Sequence, residues 1–327
     1  MNRLLAAAAS LAAASVFFSA GCSGGGNSAV NQLGINAAQH AQVQVRYSAV
    51  GASDAVGVGA IQCKTAGSPP MPQPPSCPGG NGYVPDLATL LATGSAKVHL
   101  FDFGISGAVI GPDIQADTTV CFGAPGNFIT NELPQFNSAS TLVTIFAGGN
   151  DTNAIVACAV GIAQSGGDPT PFIQAEIAKF GADYAALVEG IKNTSPPGVV
   201  IVVSNLPNLA LIPVGTQQPP PVQALLAEIS VALDQAVINP SAGTTVSAVV
   251  DLLCAPGSYD PANFSADGFH PNATGYALFA QQYDAQVQAV ANGTATLPVS
   301  SCPPFTAALA HRALTAQDAA STHLWRY

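Results

Sequence analysis

Five short apolar, β-branched runs recur along the chain, and each ends in Gly, Asn or Asp or at a turn. They are QVQVRYSAVG (42–51), KVHLFDFG (97–104), STLVTIFAGG (140–149), GVVIVVSNLP (198–207) and TTVSAVVDLL (244–253). Helical segments lie between them. In FIQAEIAKFGADYAALVEGI (172–191), Ile173, Ile177, Phe180, Tyr184, Val188 and Ile191 recur at helical spacing. A second helix starts in the PPP of 219–221 and runs through VQALLAEISVALDQAVI, and a third follows His270 with Tyr276, Phe279, Tyr283, Val287 and Val290 on one face. Strands alternating with helices imply a mainly parallel sheet covered on both sides, an α/β class.

In such a sheet, sites form where the strands end and the chain turns toward a helix. The residues there are Gly51-Ala52-Ser53-Asp54, Gly104-Ile105-Ser106-Gly107, Gly148-Gly149-Asn150-Asp151 and Ser204-Asn205-Leu206-Pro207, with a longer excursion after the fifth strand reaching Asp267-Gly268-Phe269-His270. Acyl transfer needs a nucleophile, a base, a group that orients the base, and donors for the oxyanion. Ser53 can supply the hydroxyl and its own N–H, Gly107 a second backbone donor, and Asn150 a side-chain amide. His270 is the candidate base and Asp267, three residues earlier, its partner; Asp151 can tie down the turn beside Asn150.

Each stretch also has a plain structural reading. GASD can be a helix cap in which Ser53 or Asp54 accepts from free N–H groups. GISG can be a turn, and GGND a tight turn with an Asx hydrogen bond. DGFHP can be a surface turn leading into a helix, with Pro271 at the first helical position. The elbow of α/β-hydrolases is excluded around Ser53, because residue 55 is alanine where Gly-x-Ser-x-Gly needs glycine. Of the remaining histidines, His40, His311 and His323 lie outside the strand-end segments, and His99 sits inside the second strand.

The chain of 327 residues is long enough for one domain of about 250 residues plus tails. Eight Lys and Arg against eighteen Asp and Glu give a net charge of −10, with no basic cluster, which argues against a nucleic-acid partner. The N-terminus, MNRLLAAAASLAAASVFFSAGCSGGG, has one arginine, an apolar stretch and then small residues, the pattern of an export signal. Ser19-Ala20-Gly21-Cys22 resembles a bacterial lipobox, in which Cys22 is acylated, although Ser19 stands where leucine is usual; ordinary signal cleavage is the alternative. The expected order is a signal peptide (1–21), a lipidated tether (22–41), one domain (42–302) and a C-terminal tail (303–327), exported and anchored at a membrane. Setting Cys22 aside leaves six cysteines, an even number that suggests disulfides; Cys63 with Cys77 is the most local pairing among several. Zinc is disfavoured, since no CxxC pair exists and no histidine lies near a cysteine.

Taken together, GASD with Ser53, GISGA with Gly107, GGND with Asn150 and DGFH with Asp267 and His270 resemble the SGNH hydrolases, also called GDSL esterases and lipases. The blocks stand in the family's order across roughly residues 42–291, and HPNATGY after His270 is also what the family often has. The resemblance implies a three-layer α/β/α fold with a flavodoxin-like, five-stranded parallel sheet. It also implies hydrolysis of small-molecule, lipid or acylated-glycan esters without metal or organic cofactor, by a Ser53–His270–Asp267 triad with Ser53, Gly107 and Asn150 as the oxyanion hole. One position departs: Ala52 stands where the family's first block usually has aspartate, and Asp54 follows the serine instead. That departure also suits a non-catalytic envelope protein that keeps the fold to bind a glycan or lipid.

Overall fold

The computed structural model describes residues 44–60, 71–72, 82–92, 96–298 and 302. Cys22, Cys63, Cys77 and the segment beyond Cys302 lie outside the described residues. So do the signal peptide, the lipid anchor, the local disulfide and the tail expected there.

The strands are β1 (Gln44–Gly51), β2 (Met71–Pro72), β3 (Lys97–Asp102), β4 (Leu142–Phe146), β5 (Val200–Ser204) and β6 (Ala248–Val250), in the order β2-β3-β1-β4-β5-β6. The five longer strands are parallel, with Tyr47 paired to Leu100 on one side and Leu142 on the other. Their order is the flavodoxin-like one, and each lies where an apolar run stands in the sequence. The two-residue β2 adds an antiparallel edge that the sequence pattern does not reveal.

Helix α2 (Tyr83–Leu91) packs against the C-terminal α7 (Ala273–Ala291) on one face of the sheet. On the other, α4 (Gly149–Gln164), α5 (Thr170–Thr194) and α6 (Pro220–Leu233) pack on one another. Two short helices, α1 (Ser53–Val56) and α3 (Pro112–Asp117), follow β1 and β3. The apolar faces read from the sequence are the buried ones. Phe180, Tyr184, Val188 and Ile191 of α5 are buried, as are Tyr276, Phe279 and Tyr283 of α7.

Three buried tyrosines join the α2–α7 layer to the sheet. Tyr83 stacks on Tyr283 with ring centroids 5.0 Å apart. Burying a phenol is favourable only when its hydroxyl is satisfied. Tyr47 accordingly pairs with the Thr144 hydroxyl at 2.8 Å, and Tyr283 donates to the Ile145 carbonyl at 3.0 Å. Disulfides join Cys121 to Cys158 and Cys254 to Cys302. The first ties the segment after α3 to α4, and the second ties the segment after β6 to the end of the domain.

Candidate active site

The chain moves from β1 to β3 on one side and then back to β4 on the other, so the carboxyl ends of β1 and β4 form the topological switch point where sheets of this kind bind ligands. Ser53 and Asn150 flank it. Ser53 is the first residue of α1; the capping position is Ala52, and no side chain caps the helix. The Ser53 hydroxyl meets His270 Nε2 at 2.9 Å, in a place where Ser53 is 1% exposed.

His270 arrives on the excursion after β6, which folds back on itself. Ser265 N–H donates to the His270 carbonyl at 2.8 Å, closing the loop. Asp267 sits at its centre. Asp267 Oδ1 accepts from Ser265 Oγ at 2.7 Å and from the N–H groups of Phe269 and His270, each at 2.9 Å. The other oxygen, Oδ2, meets His270 Nδ1 at 2.6 Å. Burial alone would raise the Asp267 carboxyl, but the bonds from His270 and Ser265, the His270 charge and the Phe269 N–H outweigh it and hold the group well below the usual carboxylate range. An ionised carboxylate only accepts, so His270 Nδ1 carries the proton and Nε2 is left to accept from the Ser53 hydroxyl. Phe269 stands edge-on to the imidazole, with ring centroids 4.9 Å apart, and limits its rotation. Just beyond, Asn272 caps α7, accepting from Thr274 and Gly275 N–H, so Pro271 lies one residue outside the cap rather than at the first helical position.

GGND is the start of α4, not the Asx turn its composition suggests. Gly148 takes the left-handed conformation (φ 108°) that turns β4 into the helix, which a side chain would resist. The first turn of α4 then holds the loop after β3 with two neighbouring side chains. Asn150 Nδ2 donates to the Ala108 carbonyl at 2.8 Å, and Asp151 Oδ1 accepts from Ile110 N–H at 2.9 Å. Asp151 thus holds the loop after β3 and, as expected, also ties down its own turn through the Gly148 and Asp151 backbone. Burial, helped by the Asp183 charge, pushes its carboxyl up to about 7 despite the Ile110 bond. The loop so held contains Gly107, at φ 82°, another left-handed residue that favours glycine. Ile105 N–H of the same loop donates to the Gly51 carbonyl at 3.1 Å, which brings it alongside the turn that carries Ser53. The four blocks from separate strand ends therefore meet at the carboxyl ends of β1, β3 and β4.

The sequence model described as the GDSL-like Lipase/Acylhydrolase family matches residues 49–278, a span that includes Ser53, Gly107, Asn150, Asp267 and His270. The chain belongs to the GDSL-like lipase/acylhydrolase family. It is a carboxylic ester hydrolase. Solved structures of similar shape include the lipase Lip_vut3 from a goat rumen metagenome, at 16% identity and TM-score 0.46, covering 75% of this chain and 97% of that one. They also include the extracellular lipase of Streptomyces rimosus, at 18% and 0.44, covering 76% and 99%. A third is phospholipase A1 of Streptomyces albidoflavus NA297, at 18% and 0.45, covering 77% and 99%. No curated protein sequence matches the chain.

Within this GDSL-like hydrolase the altered first block is accommodated in its own way. Ala52 is buried. Asp54 receives the Tyr276 hydroxyl at 3.3 Å, a hydroxyl that also donates to the Val58 carbonyl at 2.7 Å, and it bonds its own backbone N–H as well. It therefore joins α1 to α7. Its carboxyl is raised by burial, partly offset by the His270 charge. Support for the turn comes from a residue that no motif identified, Glu132, whose Oε2 accepts the Gly51 N–H at 3.1 Å. His99 lies within β3, as expected, and bonds Gln44 of β1 at 2.9 Å.

Proposed function

We propose that ester hydrolysis in this chain runs through Ser53 as nucleophile, His270 as general base and then general acid, and Asp267 as the carboxylate that keeps the imidazole in the working tautomer. The observation that carries the reading is the unbroken relay from Ser53 Oγ to His270 Nε2 at 2.9 Å and from His270 Nδ1 to Asp267 Oδ2 at 2.6 Å. As Ser53 attacks the ester carbonyl, its proton passes to Nε2, and the ionised Asp267 favours the imidazolium that results. That imidazolium returns the proton to the departing alcohol. Water, activated by the same base, then releases the acyl group as the acid.

The tetrahedral intermediate carries a negative oxygen, which the N–H groups of Ser53 and Gly107 and the Asn150 amide would hold. The bond from Asn150 to the Ala108 carbonyl fixes the direction of its amide. Asn150→Ala is expected to lower kcat by a factor on the order of 10² to 10³ with KM nearly unchanged. An unchanged kcat would remove Asn150 from the mechanism.

A serine-reactive fluorophosphonate tests the whole reading, because it bonds only to an activated nucleophile. One equivalent of label located on Ser53 by mass spectrometry, together with turnover of p-nitrophenyl acetate, butyrate or octanoate, is the expected result. A folded protein that neither labels nor turns over would leave the fold as a binding module.

We also propose that the ester hydrolase works outside the cytoplasm, tethered through acylated Cys22, on the strength of the N-terminal apolar stretch and the small residues before that cysteine. Cys22→Ser is expected to move the protein out of the membrane fraction; unchanged fractionation would end the lipid-anchor proposal.

A further inference from the structure

Glu132 belongs to none of the four blocks, yet it is 1% exposed and its carboxylate reaches the end of β1. A buried carboxylate is expensive to keep, so its position calls for a reason. It closes the turn Phe128–Glu132, whose start is fixed by Asn127 accepting from Thr130 N–H at 2.8 Å and by Phe128 packed into the core. That anchoring aims the side chain at Gly51. The Gly51 N–H donates to Glu132 Oε2, and the Gly51 carbonyl accepts from Ile105. Both polar groups of Gly51 are thus held from outside its own strand, two residues before Ser53. Ser53 carries the hydroxyl and an N–H that the proposed mechanism both uses, and its backbone continues directly from this glycine.

We propose that Glu132 is a positioning residue for the nucleophile turn, acting through the Gly51 N–H to set the backbone from which Ser53 presents its hydroxyl and amide. The proposal rests on the serine-hydrolase reading above. What Glu132 supplies is an acceptor oxygen at a given reach, not a charge for the reaction. Gln supplies the same oxygen at the same length, Asp falls one methylene short, and Ala supplies nothing. A shift of the nucleophile by about 1 Å is enough to cost on the order of 10²-fold in rate.

The test measures kcat and KM on p-nitrophenyl butyrate, and the rate of fluorophosphonate labelling, for the wild type and for Glu132→Gln, Glu132→Asp and Glu132→Ala. Each is assayed well below its own melting midpoint. Glu132→Gln is expected to stay within about threefold of the wild type. The Asp and Ala variants are expected to lose roughly 10- to 100-fold in kcat, with KM within about twofold and labelling slowed in parallel. A purely structural role would lower the melting temperature of Glu132→Ala and leave kcat of the folded protein unchanged, and that result overturns the proposal. So does a Gln variant as impaired as Ala, which would mean that the charge matters rather than the bond. If Glu132→Ala does not fold, the Asp and Gln pair decides, and an Asp variant with wild-type kcat overturns it. A wild type that neither labels nor turns over sinks the serine-hydrolase reading itself, an outcome distinct from active Glu132 variants.

Discussion

Ser53→Ala is expected to lower kcat on p-nitrophenyl butyrate by about 10⁶ and to abolish fluorophosphonate labelling, while KM changes little. In the proposed mechanism the hydroxyl oxygen is the atom that bonds to the acyl carbon, so no other group replaces it. What remains, from the oxyanion donors and substrate binding, is roughly 10³ to 10⁴ over water. The variant should fold, because the substitution removes one hydrogen bond, to His270, worth on the order of 1 kcal/mol. A cooperative melt within a few degrees of the wild type, with turnover gone, separates chemistry from unfolding. Turnover equal to the wild type would make Ser53 a turn residue.

The second large effect belongs to Asp267→Asn, expected to cost about 10⁴ in kcat. Asparagine keeps one acceptor oxygen, which can still take the bonds from Ser265, Phe269 and His270 N–H that shape the loop. Its amide nitrogen then faces Nδ1 and donates to it, which moves the imidazole proton to Nε2. A protonated Nε2 cannot accept from Ser53, so the base is lost although every atom stays in place. Stability offers a second check with a definite sign. The folded Asp267 carboxyl lies below its ordinary value of 3.8, so its contribution is present above that pH and lost as pH falls toward the folded value. The asparagine variant lacks this acid-side loss, which thermal melts between pH 5 and 2 would reveal. A kcat within tenfold of the wild type would exclude Asp267 as the orienting group.

The parts of this molecule that sequence makes legible are those in which a local pattern has a single outcome. Apolar runs that end in Gly, Asn or Asp marked the parallel strands, because a strand buried on both faces needs such a run and a sharp exit. Tyr276, Phe279 and Tyr283 marked the buried face of α7 by spacing alone. Ser53, Gly107, Asn150, Asp267 and His270 were legible as residues that follow strand ends. Their mutual distances were not, since those depend on strand order.

GGND was misleading because Gly148 in the left-handed region can begin a helix as readily as close a turn. The disulfides were underdetermined for another reason: six cysteines allow many pairings, and which ones meet depends on where α4 and the segment after β6 lie. Glu132 was invisible for the most physical of reasons. Its partner is a backbone N–H, and backbone groups leave no trace in a list of side chains.

Ser53 and His270 lie 217 residues apart, whereas His270 and Asp267 are separated by three. The acid–base half of the site can therefore assemble within one loop, early and cheaply. Ser53, the proposed nucleophile, joins it only after the sheet has closed and the last excursion has docked, since contacts of such separation carry the largest loop-closure cost and form slowly. Hydrolysis is thus a clock for topology: in refolding, turnover returns with the slowest long-range phase, after helical signal has recovered.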